Sequence, residues 1–420
     1  MKLLSLFSGI GAFEKALERL GINYTLVNYC EVDKYASKAY SLIHNVPESL
    51  NLWDITKVNE GELPGVDLVT YGFPCVDISV SGKKAGLIDE DGNKTRSGLV
   101  FDALRIIDAV KPKYAVCENV KNLTGKKFTK EFNYILDCLS EMGYNNYWKV
   151  LNAADYGIPQ RRERVFIVSI RKDIDKGFNF PAPFPLTKSL KDVLENEVED
   201  RYFMRDDKVK DYIKHFKSVT PYGTEKDGTC RTIKANYYKT SQANFLQNDD
   251  RIATGVVVPQ LTELTSGMPQ AKRVYDVNGL SVTLKGEAGG LGARTGLYKI
   301  ENRIRKLTPK ECFRLMGFED RDIEVCKGIS NTQLYKMAGN SIVVDVLYYI
   351  FKVQVGMYTF FEKVFKRTLL FYLICVLLSI ILGIIKLLGV FPYGWLFVIA
   401  PFILGLISII FLLIFIFIKD

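Results

Sequence analysis

Histidine is scarce in this sequence, and closely spaced cysteine pairs are missing. The 420 residues include two histidines, His44 and His215, and none of the eight cysteines belongs to a Cys-x-x-Cys pair. Structural zinc sites are built mostly from cysteine and histidine pairs at short spacing. We therefore expect no zinc site in this protein and no metal in its functional site.

A secretory signal is also missing. The amino terminus has a short apolar run at 2–6, but neither a long apolar stretch nor a small-residue cleavage site follows it. The run is typical of a strand rather than a signal peptide. We expect a cytoplasmic catalytic part, in which the thiols stay reduced. A free nucleophilic cysteine is then chemically possible.

The sequence has no strong excess of one charge. Its formal net charge is +9, from 56 basic and 47 acidic residues. This balance suits a phosphate-rich partner, but a membrane surface explains it equally well. Net charge therefore does not separate the two kinds of partner.

Residues 1–175 alternate short apolar runs with helical patterns, which is typical of an α/β domain. Such domains have a largely parallel sheet, with ligands at the carboxyl ends of the strands. The predicted strands are 2–6, 24–30, 67–71, 114–117 and 165–170, and the predicted helices are 12–20, 97–110 and 130–142.

Residues 176–300 have a different texture. Three prolines between 181 and 185 mark a linker, and the sequence after it is rich in glycine, threonine, lysine and tyrosine. We interpret this region as a small β-rich domain inserted into the α/β domain, which returns at 301–356. A helix start is predicted at Thr308, which is followed by a proline and, three residues on, by Glu311.

Residues 363–420 form a hydrophobic tail. Two uncharged apolar runs, 368–385 and 395–418, are each long enough to cross the roughly 30 Å hydrocarbon core of a bilayer. Basic residues flank the pair, which predicts a transmembrane helical hairpin with both ends in the cytoplasm. A hydrophobic hairpin packed on a protein partner is the alternative. The tail is a membrane anchor, a gene fusion or a sequencing artefact, and the sequence leaves these open.

A glycine-rich turn, Phe7-Ser-Gly-Ile-Gly-Ala-Phe-Glu14, follows the first predicted strand and opens the first predicted helix. Gly9 and Gly11 allow a sharp turn and a close approach to a ligand, beside the free N–H groups of a helix start. Glu31 ends the second predicted strand, where an acidic residue reaches ribose hydroxyls in nucleotide-binding folds. Each feature alone is commonly structural; together they favour an adenosine-containing ligand.

Two further polar residues end predicted strands. Cys75 lies in the rigid turn Gly72-Phe-Pro-Cys-Val-Asp-Ile-Ser79, where a nucleophile would be presented, although a cysteine is more often a small buried apolar residue. Glu118 ends the fourth strand and would face the same crevice. Burial there would raise its pKa enough to let it donate a proton.

The motif Gln160-Arg-Arg-Glu-Arg164 leads directly into the strand predicted at 165–170. Arginines in this position can clamp a phosphate or a base carbonyl. A solvated run of charge is the ordinary alternative.

The order and spacing of these motifs resemble the DNA (cytosine-5) methyltransferase family. The resemblance runs from Leu4 to about Val353, apart from the inserted domain, and includes two motifs after that domain. These are Arg305-Lys-Leu-Thr-Pro-Lys-Glu-Cys-Phe-Arg-Leu-Met-Gly-Phe318 and Tyr335-Lys-Met-Ala-Gly-Asn-Ser341. The resemblance implies a Rossmann-like S-adenosylmethionine-dependent methyltransferase domain with an inserted β-rich target-recognition domain.

The resemblance also implies a mechanism. The target cytosine is flipped out of duplex DNA, and the Cys75 thiolate attacks carbon 6 so that carbon 5 accepts the methyl group. Glu118 would protonate ring nitrogen 3, and Arg164 would support the carbonyl oxygen of the base; Arg162 matches the other arginine of the motif. The implied cofactor-binding residues are Phe7, Gly9, Gly11, Glu31, Asp54, Pro74, Leu99, Asn340 and Ser341.

The sequence departs from the family pattern at two places besides the tail. Val76 follows the catalytic Pro-Cys, where the family usually has glutamine, and Ala12 replaces a common glycine. Both the nucleophile and the acid are retained, so we expect activity.

The expected partner is double-stranded DNA, read by a monomer with or without a cognate restriction endonuclease. Two alternatives stay open: an RNA (tRNA) cytosine-5 methyltransferase, and an inactive nucleic-acid-binding protein tethered to a membrane. An inserted region of more than a hundred residues favours duplex reading.

Overall fold

The structure is a computed structural model that describes residues 1–78, 86–203, 274–278, 280–284, 297–300, 303–388, 400, 403–404 and 406–407. The chain divides into two compact units. The first comprises Met1–Asp175 and Phe180–Tyr349, and the second comprises Lys176–Asn179 and Ile350–Asp420. All the predicted site residues lie in the first unit.

A six-stranded sheet forms the centre of the first unit, with the strand order β2-β1-β3-β4-β6-β5. The first four strands in this order, β2, β1, β3 and β4, run parallel to one another. Parallel neighbours need a crossover connection, which agrees with the predicted alternation of strands and helices. The strands are β1 (Lys2–Leu6), β2 (Thr25–Cys30), β3 (Leu68–Tyr71), β4 (Tyr114–Val120), β5 (Tyr144–Asn152) and β6 (Glu163–Arg171).

The sheet is mixed, so the prediction of a largely parallel sheet needs correction. Strand β6 runs antiparallel to both of its neighbours, β4 and β5. Only residues 153–162 join β5 to β6, and this short connection returns the chain in the opposite direction without a crossover helix.

Four helices accompany the first part of the sheet: α1 (Ala12–Arg19), α2 (Lys34–His44), α3 (Val100–Val110) and α4 (Thr129–Glu141). Apolar residues of α3 and α4 pack with buried side chains of β1, β3 and β4 in one core. The core includes Leu4 and Val69 from the strands, Ile107 from α3 and Ile135 from α4. Burial of this kind stabilises a fold by about 25 cal/mol per Å² of apolar surface. The core fixes the carboxyl ends of the strands, where the site lies.

After the insertion the chain returns through four helices: α5 (Pro309–Leu315), α6 (Asp320–Glu324), α7 (Asn331–Asn340) and α8 (Val344–Leu387). The predicted start of α5 is confirmed, because the Thr308 hydroxyl accepts from the backbone N–H of Glu311 and the Glu311 side chain accepts from that of Thr308. Three short strands, β7 (Val274–Asp276), β8 (Leu297–Ile300) and β9 (Arg303–Arg305), form a second sheet. Residues 204–273 and 285–296 of the predicted target-recognition domain lie outside the described residues.

The structure does not support the predicted transmembrane hairpin. Within the part of the chain that is described, no helix is both long and apolar enough to cross a membrane. The first predicted span, 368–385, falls within α8, which is continuous from Val344 to Leu387. Most of the second span, 395–418, lies outside the described residues.

Candidate active site

A cavity of ≈ 360 Å³ opens at the carboxyl ends of β1 to β4. This volume is in the range of small-molecule sites, which is about 300–1,000 Å³. Two predicted site residues, Gly11 and Ser341, are absent from its lining. The predicted residues that line it are Phe7, Gly9, Glu31, Asp54, Pro74, Cys75, Leu99, Glu118, Arg162, Arg164 and Asn340.

The turn between β1 and α1 uses left-handed backbone conformations. Phe7, Gly9 and Gly11 have φ values of 53°, 57° and 78°. A Cβ on Gly9 would meet no atom within 4 Å, so its backbone is open to a ligand, whereas a Cβ on Gly11 would lie 2.0 Å from Nε2 of His44. A residue larger than glycine at position 11 would therefore collide with α2. Gly11 does not line the cavity, although it was predicted to bind the cofactor.

Glu31 fixes the glycine-rich side of the cavity. Its two carboxylate oxygens accept the backbone N–H groups of Gly9 and Asp33, each at 2.8 Å. Burial raises the pKa of Glu31, although these two donors favour its charged form. Asp33 caps α2 and pairs with Lys336 of α7 at 2.5 Å. The carboxylate of Glu31 is thus held between the first turn and the start of α2.

Asp54 lies at the exposed rim of the same side. Its carboxylate accepts the backbone N–H and the hydroxyl of Thr56, at 3.1 and 2.8 Å, and so caps the short helix Ile55–Lys57. These hydrogen bonds hold the pKa of Asp54 below its usual range. The carboxylate faces the cavity with part of its hydrogen-bonding capacity already used.

The turn that carries Cys75 is fixed from two directions. The side-chain amide of Asn119 donates to the carbonyl of Phe73 at 3.0 Å. Asp77 and Ser97 exchange two hydrogen bonds, each from a backbone N–H to the other side chain, at 3.2 and 3.3 Å. The half-buried thiol therefore has a defined position above β3 and β4.

The electrostatics around Cys75 favour the neutral thiol. Burial raises the pKa of Cys75, the carboxylate of Glu118 raises it further, and Arg164 and Arg162 oppose both effects. If Glu118 became neutral, the two arginines would act on the thiol without that opposition. The state of Glu118 thus controls how readily the thiolate forms.

Glu118 and Arg164 form the polar floor of the cavity. Nε of Arg164 lies 3.1 Å from Oε1 of Glu118, and Nη1 of Arg164 donates to the carbonyl of Glu163 at 2.8 Å. Burial nevertheless raises the pKa of Glu118, against the effects of Arg164 and Arg162. A buried carboxyl group with a raised pKa is suited to donate a proton.

Arg162 is buried, and its guanidinium is occupied by backbone carbonyls. Nη1 donates to Leu284 at 2.9 Å, and Nη2 donates to Gly339 and Ser341 at 3.1 and 2.7 Å. Burial is the main cause that lowers the pKa of Arg162 to about 9, so it is charged at neutral pH. Arg162 therefore ties two segments, one at Leu284 and one at Gly339 and Ser341, to the start of β6. Ser341 contacts Arg162 through its backbone carbonyl and does not line the cavity.

Three residues that sequence reasoning missed also organise the site. Gln160 is fully buried; its side chain donates to the carbonyl of Leu315 at 2.8 Å and accepts the N–H of Leu284 at 3.2 Å. In the sequence, Gln160 appears only as the first residue of the arginine motif. Asn119, which lies inside β4, and Asn51, which follows β2, belong to no motif that predicts their roles.

A metal is not indicated in the described residues, where no group of three or more His, Cys, Asp or Glu side chains is placed to hold one. The ionisable groups around the cavity are two thiols, three carboxylates and two guanidinium groups. The chemistry available is that of a nucleophile beside a proton donor.

Comparisons with known proteins agree with this chemistry. The family model described as C-5 cytosine-specific DNA methylase matches residues 1–355. Among individual proteins, the chain is similar to orphan methyltransferase M.SPRI of Bacillus phage SPR, with 32% identity over 85% of this chain and 98% of that protein. It is also similar to type II methyltransferase M.HhaI of Haemophilus parahaemolyticus, with 35% identity over 83% of this chain and 93% of that protein.

Two solved structures share the fold. A methyltransferase of Entamoeba histolytica, EhMeth, superposes with a TM-score of 0.60 at 16% identity, over 84% of this chain and 97% of that one. The Dnmt2 methyltransferase of S. pombe superposes with a TM-score of 0.57 at 17% identity, over 85% of this chain and 98% of that one. At these identities the likeness concerns the α/β fold with its mixed sheet.

Proposed function

Because this chain belongs to the C-5 cytosine-specific DNA methylase family, which methylates carbon 5 of cytosine from S-adenosylmethionine, we propose that Cys75 is its nucleophile. The observation that carries the proposal is the convergence of Cys75, Glu118 and Arg164 on one cavity with Gly9 and Glu31. This arrangement brings a nucleophile and a proton donor to the same space as an adenosine-binding turn.

The cavity fits S-adenosylmethionine at its glycine-rich end. Gly9 leaves open space where any other residue would place a Cβ, and the Glu31 carboxylate lies at the end of β2, where ribose hydroxyls are bound in related folds. Phe7, Pro74, Leu99 and Asn340 also line the cavity and would hold the remainder of the molecule. When bound, S-adenosylmethionine supplies an electrophilic methyl group.

The chain's own residues account for the activation of the base. The Cys75 thiolate adds to carbon 6 of the cytosine ring, and Glu118 gives a proton to ring nitrogen 3, so that carbon 5 becomes nucleophilic. Proton donation leaves Glu118 charged beside Arg164, which lies 3.1 Å away and stabilises that charge. After carbon 5 has gained the methyl group, loss of its proton to water expels the thiolate and restores the double bond between carbons 5 and 6. Ring nitrogen 3 then returns its proton to Glu118.

The target is proposed to be a cytosine in double-stranded DNA. Cys75 is half-buried and Glu118 is buried, so a base still stacked in a duplex cannot reach them, and it must be flipped out. Residues 176–300 are proposed to read the sequence around the base from the major groove. The segment Ser281–Leu284 of this region contacts Gln160, Arg161 and Arg162. These contacts link the region proposed to read the DNA sequence to the start of β6.

The full chain tests this proposal. It is incubated with S-adenosylmethionine labelled in the methyl group and with duplex DNA or RNA of the same sequence. We expect label on carbon 5 of cytosine in DNA and none with Cys75→Ala. DNA carrying 5-fluorocytosine should stay covalently attached to the protein, since fluorine cannot leave as a proton. Label on RNA alone, or a Cys75→Ala variant that still forms the adduct, would contradict the proposal.

Two further partners are proposed: a cognate restriction endonuclease, which rests on the family resemblance alone, and a membrane contacted by residues 368–418. Support for the second comes from uncharged residues such as Phe371, Ile374 and Leu377, whose side chains are about half exposed. Fractionation of cells that express the full chain tests it: Leu377→Arg should move protein from the membrane to the supernatant. Wild-type protein in the supernatant would exclude membrane attachment.

A further inference from the structure

Trp53 combines an unusual backbone conformation with a position at the cavity. Its φ is 59°, in the left-handed region, where a bulky residue is a genuine outlier. The side chain is 43% exposed and lines the cavity beside Phe7 and Glu31. The indole therefore does not fill the core, and packing alone does not explain why a tryptophan occupies this position.

The surrounding structure enforces the left-handed conformation. The backbone N–H of Trp53 donates to Oδ1 of Asn51 at 2.9 Å, and its carbonyl accepts from Sγ of Cys30 at 3.1 Å. The preceding residue, Leu52, donates its N–H to the carbonyl of Tyr29 at 2.7 Å. Strain of this kind persists only where neighbours over-determine it, and it concentrates at ligand sites.

Asn51 also links Trp53 to the cofactor carboxylate. Oδ1 of Asn51 accepts the N–H of Glu31 at 3.0 Å as well as that of Trp53, and Nδ2 donates to the carbonyl of Glu31 at 2.9 Å and to the hydroxyl of Ser37 at 2.9 Å. The amide uses its full hydrogen-bonding capacity. The position of the indole is thus set relative to Glu31 and does not follow from local sequence alone.

Exposed apolar side chains collect at this cavity. Val32, Trp53 and Val76 are 73%, 43% and 42% exposed, and all three line it. Val32 follows Glu31 in the chain and Trp53 precedes Asp54, so two apolar surfaces flank the two carboxylates expected to contact an adenosine. Apolar surface exposed at a concave site marks contact with a ligand, and an indole is well suited to stack on a purine.

We propose that Trp53 is the stacking platform for the adenine ring of S-adenosylmethionine, and that its left-handed backbone is maintained at the expense of fold stability. This inference rests on the proposed function for its ligand. It assigns to one residue two effects that a purely structural tryptophan would not combine: substitution weakens cofactor binding, while removal of the Cβ relieves strain.

Paired variants separate the two effects. Trp53→Ala and Trp53→Gly both remove the indole, but only glycine removes the Cβ that disfavours φ 59°. Lys111, the exposed residue after α3 with φ 44°, gives a matched control pair, Lys111→Ala and Lys111→Gly, far from the cavity lining. Trp53→Phe retains an aromatic face. Each full-length protein is titrated with S-adenosylmethionine by calorimetry and melted without ligand.

We expect both Trp53→Ala and Trp53→Gly to raise Kd about tenfold or more, and Trp53→Phe to raise it by less than about threefold. At both positions the glycine variant should melt roughly 2–4 °C above the alanine variant, and the Lys111 variants should bind as wild type does. S-adenosylhomocysteine should quench tryptophan fluorescence in the wild type, and Trp53→Phe should lose this quenching although Trp148 and Trp395 remain.

Two results overturn the inference while the proposed function stands: Trp53→Gly that binds like the wild type, or Trp53→Phe that binds as weakly as Trp53→Gly. Alanine melting above glycine at position 53 overturns the assignment of strain. Wild-type protein that does not bind S-adenosylmethionine overturns the proposed function itself, and this inference with it.

Discussion

The two ends of the cavity are built in different ways. At the glycine-rich end, Gly9, Glu31 and Asp54 act through hydrogen bonds between backbone N–H groups and carboxylates, and their partners lie within about the first 60 residues. At the cysteine end, Glu118 and Arg164 come from adjacent strands and act through buried charge.

Under the proposed function, cofactor binding and chemistry depend on separate sets of interactions. Backbone hydrogen bonds hold a shape that a ligand can enter, whereas buried charges tune the protonation of the groups that react. Substitutions at the glycine-rich end should therefore change cofactor affinity, and substitutions at the cysteine end should change the maximal rate. Single substitutions at each end test whether affinity and rate separate in this way.

Cys75→Ala should have the largest effect. We expect the rate of methyl transfer to fall by roughly a thousandfold or more, because no other described group replaces the nucleophile. The Kd for S-adenosylmethionine should stay within about twofold of wild type, measured by calorimetry on the full chain. A comparable loss of cofactor affinity would show that the two ends are not separable.

Glu118→Gln should lower kcat by about 10²–10⁴-fold, since glutamine has nearly the same side-chain shape as glutamate but no acidic proton to donate. The variant should also change how stability depends on pH. Burial raises the folded pKa of Glu118 above its ordinary value of 4.5, so the folded state binds more protons than the unfolded one and loses stability as pH rises from 4.5 through the raised pKa.

Glutamine does not ionise, so the variant does not lose stability as pH rises through this range. The free energy of unfolding of Glu118→Gln should therefore exceed that of wild type at pH 8 and approach it at pH 4, in urea titrations at both values. A variant that is less stable than wild type at pH 8 would mean that the contact with Arg164 outweighs burial.

Glu31→Gln should raise the Kd for S-adenosylmethionine about 10- to 100-fold, because one amide group would face a backbone N–H that now meets a carboxylate oxygen. At saturating cofactor the maximal rate should stay within about threefold of wild type. A drop in that rate with unchanged Kd would reverse the roles assigned to the two ends.

Arg162→Lys should lower kcat roughly tenfold with little change in Kd for cofactor. A single ammonium group cannot bridge the carbonyls of Leu284, Gly339 and Ser341 that the guanidinium spans. Lysine keeps the positive charge that opposes the raised pKa of Cys75 and of Glu118, so the pH profile of kcat should keep its shape. A shifted profile would show that the substitution changes this charge as well as the positions of the three carbonyls.

Asp54→Asn should have the smallest effect, about a threefold rise in the Kd for S-adenosylmethionine. The carboxylate is exposed and already accepts from Thr56, and asparagine can still accept both bonds. A rise in Kd as large as that of Glu31→Gln would show that Asp54 contributes as much to cofactor affinity as Glu31 does.

The parallel core of the fold could be predicted because buried strands have continuous apolar runs: 2–6 coincides with β1, and the predicted strands at 24–30 and 67–71 each begin one residue early. Strand β5 was missed, since Tyr144 and Leu151 are its only buried residues and the other seven are half-buried or exposed. Edge strands that face solvent lack the alternation that the sequence signal needs.

Residues that line the cavity could be predicted where a turn or a strand end dictates the residue type, as at Gly9, Cys75 and Glu118. The role of Arg162 was not, because its carbonyl partners lie 122 to 179 residues away in the sequence. The left-handed conformation of Trp53 likewise depends on Asn51 and Cys30, and no local propensity reveals such tertiary enforcement.

The wall formed by Gly339 and Asn340 has a consequence for biosynthesis. These residues line the same cavity as Phe7 and Gly9 but leave the ribosome more than 300 residues later, at about 5–20 residues per second. Cys75 and Glu118 emerge early, together with their core. The cavity gains its last wall, and Arg162 its last carbonyl partners, only when α7 has been made, so completion of the site is a late event in the life of each chain.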